Sequence, residues 1–124
     1  MRLDRLTVKA QEAIAAAQGI ASERGHAAIG PLHLLEALIQ QKGGIVPSLL
    51  EKVGVSTDRV AQVADAELSR MPSQSAQAGL NMDPSLGEVL NKAEAQAGKL
   101  GDEYTSAEHL LLGLTEVESP AREV

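Results

Sequence analysis

Residues 100–114 read LGDEYTSAEHLLLGL, and residues 24–38 read RGHAAIGPLHLLEAL. Both contain His-Leu-Leu followed three residues later by Leu, and the residue numbers differ by 76 (109 less 33, 114 less 38). Applied without gaps to 8–38 against 84–114, that offset also pairs Glu12 with Glu88, Ala17 with Ala93, Ala21 with Ala97 and Gly25 with Gly101. The alanine pairs carry little weight in an alanine-rich chain. The shared glycine and the shared His-Leu-Leu run identify an internal duplication of a helical unit. Two copies make a pseudo-twofold globule and not a solenoid.

The segments inside each unit read as helices. Leu6, Ala10, Ala13, Ile14, Ala17 and Ala21 recur at three- and four-residue spacing, which marks one face of a helix over roughly 7–23, stopped by Gly25. Pro31 suits the first position of the next helix, with Leu34, Leu35, Leu38 and Ile39 inward and Gly43 as its end. A short helix starts at Pro47 and closes at Gly54, with Val55 folding back. A fourth, capped by Ser56 or Thr57, presents Val60, Val63, Ala64, Leu68 and Met71. Residues 72–82 have no period and read as a linker. Asp83 before Pro84 restarts the pattern, with Leu86, Val89, Leu90, Ala93, Ala97 and Leu100 on one face and Gly101 as the stop. In the last helix Thr105 with Glu108 fits a capping box, with Ser106 as the alternative cap.

The fold class expected is therefore all-α: one domain over 1–124, with repeat one at about 3–71, the linker 72–82, and repeat two at 83–124. The third and fourth helices of repeat one have counterparts that would begin near 122, so the second repeat is expected to be incomplete and the total to be about six helices. An apolar patch is expected near Leu110–Val117.

Composition excludes several function classes. The chain has no Cys, one Tyr, no Phe or Trp, and a net charge of −6. Base-stacking faces and a basic surface are both missing, which argues against nucleic acid. No stretch reaches the ~18 apolar residues that span a bilayer. The charged start MRLDRLTVKA lacks a signal-peptide core, so a soluble, cytoplasmic protein is expected, with no membrane partner. His33 and His109 are equivalent by the duplication, and no HExxH spacing is present, so no metal is expected. There is no GxxxxGK[ST] phosphate loop, no GxSxG elbow and no carboxylate pair set apart for acid–base chemistry. No catalytic residue and no cofactor is expected.

The duplicated pattern, with MRLDRLT at the start, PLHLLEAL, GGIVPSLLEKVGV and GDEYTSAEHLLLGL, resembles the Clp amino-terminal (double Clp repeat) domain over essentially the whole chain. MRLDRLT inclines the resemblance towards the disaggregase branch of the Clp ATPases and away from the protease-linked members. The resemblance implies a substrate-recruiting module. It would bind unfolded or aggregated polypeptide and present it to downstream AAA+ ATPase modules of a hexameric parent. The alternative within the family is docking of an adaptor for a Clp protease. By motif match, the family's substrate-binding polar positions fall on Thr7, Asp102 and Glu108. Helix capping explains Thr7 and Glu108 equally well, and Asp102 follows a helix stop. The resemblance also places an apolar groove beside the first helix of the second unit. There this chain carries Lys92, Gln96 and His109, so the groove is expected to be more polar.

Overall fold

A computed structural model describes residues 6–26, 28–41, 44–71, 81–101 and 104–117. Among them are six helices: α1 Val8–Glu23, α2 Pro31–Gln40, α3 Val46–Lys52, α4 Thr57–Arg70, α5 Pro84–Lys99 and α6 Ala107–Glu116. The bounds of α5 and α6 lie 76 residues beyond those of α1 and α2. The stops repeat as well: Gly25 and Gly101 adopt φ of 71° and 74°, a left-handed conformation open to glycine at little cost.

Three of the starts are capped by a side chain accepting a first-turn N–H. Thr7 Oγ1 accepts the Ala10 N–H at 3.2 Å, Ser56 Oγ accepts the Arg59 N–H at 3.3 Å, and an Asp83 carboxylate oxygen accepts the Ser85 N–H at 2.8 Å. Pro31 and Pro84 occupy first-turn positions, where an N–H has no helical partner to lose. Gly54, at φ 84°, closes α3, and the Val55 N–H returns to the Leu50 carbonyl at 2.8 Å.

Two short parallel pairings weave the units together. Strand β1, Ala28–Ile29, pairs with β2, Asn81–Met82, and Leu6 forms a single bridge with Thr105. The Thr7 N–H donates to the Thr105 carbonyl and the Asp83 N–H to the Ile29 carbonyl, both at 2.9 Å. These two bonds are the same bond under the 76-residue offset. The segment leading into each unit's first helix therefore pairs with the segment leading into the other unit's second helix.

Packing centres on α2, of which every residue but Gln40 is buried. It lies against α1, α3, α4, α5 and α6. The face of α1 is all alanine, Ala10, Ala13, Ala17 and Ala21, which lets α2 approach closely. In α5 the corresponding face is larger, with Leu86, Val89, Leu90, Ala93 and Ala97. The partner helix compensates: Gly113 stands where α2 has Ala37, and a Cβ there would lie 2.6 Å from the Val89 carbonyl oxygen.

Several expectations need correction. Leu100 is not part of the α5 core face; as the residue ending the helix it is 63 % exposed. Thr105 does not cap α6: it is buried in the bridge to Leu6, and Ser106 is the cap. Val63, expected on the inner face of α4, is 40 % exposed. Leu110, Leu114 and Val117 are buried, so the open apolar surface is at Leu100, Leu111 and Leu112 and does not run to Val117. The expected linker includes β2 at its end, while 72–80, like the expected stop at Gly43, lie outside the described residues.

Candidate functional site

The surface of interest forms at the start of α6. Ser106, in an extended conformation, ends the approach to the helix. Its N–H donates to Nδ1 of His109 at 2.8 Å, so a histidine fills the role that Glu or Gln plays in a capping box. The Ser106 hydroxyl lies 2.9 Å from the same ring nitrogen and 3.1 Å from Oε1 of Glu108. Glu108 is exposed in the first turn, where the helix dipole favours a carboxylate.

Thr7 reaches this corner from the opposite end of the sequence. Its backbone bond to Thr105 sets the start of α1 beside the approach to α6, and its side chain caps α1. The fold thus brings the Thr7 segment to the segment that carries Glu108. Asp102, the third expected position, lies outside the described residues.

Next to Glu108 is an open apolar groove of about 300 Å³, lined by Leu49, Leu100, Glu108, His109, Leu111 and Leu112. It exists because α6 is covered on fewer sides than α2. Position 36, the counterpart of 112, is 6 % exposed in unit one, where α4 packs on α2; Leu112 is 42 % exposed. The same offset relates buried Leu35 to partly buried Leu111. The patch expected at Leu110–Val117 takes in Leu111 and Leu112, but the sequence reading placed neither Leu49 nor Leu100 on it. For α6 one signal was available: in the run Leu110–Leu111–Leu112, successive residues are about 100° apart on a helix, so the three cannot share one buried face.

Of the positions expected to make the groove more polar, His109 does line it. Lys92 is exposed on α5, and the Gln96 side-chain amide donates to the Glu116 carboxylate. Among the described residues, no three His, Asp or Glu side chains are placed to hold a metal ion. No described helix is long and apolar enough to cross a membrane.

Residues 5–124 match the family described as the Clp repeat (R) N-terminal domain. The chain is similar to the chaperone protein ClpB of Rhodopirellula baltica, with 37% identity over 98% of this chain and 14% of that protein. It is similar to ClpB of Pseudomonas putida, with 42% identity over 90% of this chain and 13% of that protein. The chain thus spans about one seventh of the length of these curated relatives. Among solved structures, the Hsp104 N-terminal domain from Candida albicans superposes with a TM-score of 0.85, covering 94% of this chain and 77% of that one. At 24% identity, that likeness speaks for the fold alone.

Proposed function

Because the chain belongs to the Clp repeat N-terminal domain family, we propose that it is the recruiting module of a cytoplasmic, ATP-driven protein disaggregase. It holds unfolded or aggregated polypeptide for ATPase modules elsewhere in a hexameric parent, and takes no part in nucleotide hydrolysis itself. The single observation that carries this reading is the juxtaposition at the start of α6. The Thr7–Thr105 bond sets the Thr7 segment beside the approach to a helix whose first turn offers an exposed carboxylate, Glu108, on the rim of an apolar groove. An unfolded chain presents what such a corner accepts: aliphatic side chains for Leu100, Leu111 and Leu112, and backbone N–H groups or basic side chains for the carboxylate. Asp102 belongs to the same proposed contact set by motif.

The groove is small and open, which suits a client that must be released again. The test is binding of β-casein, an unfolded polypeptide, and of a heat-aggregated protein, each compared with a folded control. Thr7→Ala, Asp102→Ala and Glu108→Gln should weaken binding to the unfolded and aggregated clients while the melt of Glu108→Gln stays close to the parent chain. Normal binding by all three variants would reduce these residues to caps. Selective binding of a folded adaptor, with no affinity for casein, would favour the protease-linked alternative.

A further inference from the structure

Unit one buries two imidazole rings that the proposed client surface does not use. His26 is 5 % exposed and His33 is fully buried. Nδ1 of His33 accepts the Gly30 N–H at 2.8 Å, so that nitrogen carries no proton and the ring's proton sits on Nε2. His33 Nε2 lies 2.8 Å from Nδ1 of His26, which must then be the acceptor. The remaining proton of His26 is on its Nε2, and His26 is also hydrogen-bonded to the Leu68 backbone. One directed chain therefore runs from the Gly30 N–H through both rings to α4, with each tautomer fixed by the neighbour before it.

The chain has room for one proton per ring. A second proton on His33 would face the Gly30 N–H, and a second on His26 would face His33 Nε2–H. We propose that this chain is an acid-sensitive clasp: protonation of either ring breaks it and frees the end of α4 and the α1–α2 connection from the start of α2. The consequence reaches unit two, because Ile29, next to Gly30, holds Met82 in the strand pair and accepts the Asp83 N–H.

The surrounding charges support this. Burial, and then the neighbouring His26, hold His33 down at about 4; burial, and then the Arg24 guanidinium, lower His26. Arg24 ends α1 and pairs with Asp65 of α4. Asp83, from unit two, attracts a proton to His33. Glu36 of α2 works in the opposite sense, because burial raises its carboxyl and the folded state binds that proton more tightly. Both rings take protons more readily in the unfolded chain than in the folded one. Their contribution is therefore complete above the ordinary histidine value of 6.5 and is lost as pH falls from there towards 4. Unit two does not repeat the pair: His109 bonds Ser106 as His33 bonds Gly30, but the counterpart of His26 in the sequence is Asp102.

The test is urea unfolding of the whole chain between pH 7.5 and 4.5, together with ring ¹⁵N spectra of the wild type. The folding constant should fall below pH 6.5 by about tenfold per pH unit for each ring kept neutral. His26→Asn, which keeps an acceptor opposite His33 and removes one titrating ring, should make the slope shallower by about one such tenfold step. The spectra should show both rings as Nε2–H tautomers that protonate only as the Gly30 and α4 amide signals change. A His33 ring that titrates near 6.5 while those amides stay unperturbed, or a His26→Asn slope equal to that of the wild type, would overturn the clasp. The ring spectra decide the matter even where His26→Asn folds poorly.

Discussion

Thr7 and Thr105 are 98 residues apart in sequence and one hydrogen bond apart in space, with the N–H of the first 2.9 Å from the carbonyl of the second. Asp83 and Ile29 repeat the bond at the same length. The two units are thus held together through their leading segments as well as by helix packing.

Two substitutions at Thr7 separate its roles. Thr7→Ala removes the hydroxyl that caps α1 and should cost about 1 kcal/mol. Thr7→Pro removes the donor to Thr105 as well. The backbone there, φ −66° and ψ 162°, already suits proline, so the extra loss reports the missing bond. It should be a further ~1–3 kcal/mol, because Thr105 is buried and its carbonyl loses this donor. Urea unfolding of the two variants measures the difference; equal stabilities would mean that the bond contributes nothing.

Gly113 sets the spacing of α5 and α6. Gly113→Ala should destabilise by about 1–3 kcal/mol, the usual range for overpacking. Adding Val89→Ala should restore only part of that. It relieves the side-chain contact at 3.3 Å, but the nearest obstacle, at 2.6 Å, is the Val89 carbonyl. A double-mutant cycle by thermal melting gives the coupling.

Adjacent leucines in α6 should respond in opposite ways. Leu110 is fully buried, and Leu110→Asp should abolish cooperative folding, since an unpaired buried carboxylate costs an amount comparable to the whole stability. Leu112→Asp should fold with a stability change within about 0.5 kcal/mol, as at other surface sites, and should weaken casein binding through the groove. Circular dichroism melts of both proteins make the comparison. A folded Leu110→Asp would invert the assignment of faces.

Glu36 is buried beside Arg24 and Asp65, with Oε1 accepting from Gln40 and Oε2 without a hydrogen-bond partner. Burial raises its carboxyl above the ordinary value of 4.5. The folded state therefore favours the neutral form, and stability is lost as pH rises from about 4.5 through the folded value. Glu36→Gln should melt higher than the parent at pH 7, and the gain should vanish below about pH 4, where the carboxyl is protonated in both states. A gain that did not depend on pH would point to packing and not to charge.

The six helices were legible because each has a local signature. Asp83-Pro84 and Pro31 mark starts, Gly25 and Gly101 mark stops, and the offset carries the bounds of α1 and α2 onto α5 and α6. The all-α class and the family follow from the same residues. The two-residue strands were not legible: they are too short for any period, and their partners lie 53 and 99 residues away. The groove was hidden for a different reason. Leu35 and Leu111 have similar neighbours in sequence, and it is α4, which packs on α2, that distinguishes the buried surroundings of the one from the half-open surroundings of the other. The histidine pair escaped notice because equivalence under the duplication accounted for His33 and His109, whereas the contact of His33 is with His26, which no repeat pairs with another histidine. Among the expected site residues, Thr7 and Glu108 belong to segments that the bridge brings together.

The exchange of leading segments also fixes when this domain can finish folding. A ribosome releases residue 7 long before residue 105, and residue 29 long before residue 83. Neither pairing can close while the first unit is the only one outside the exit tunnel. The sides of α2 that pack on α5 and α6, and the edges at Leu6 and Ile29, must therefore wait uncovered until nearly the whole domain has been synthesised. During that interval the nascent chain itself carries the exposed apolar surface that invites aggregation.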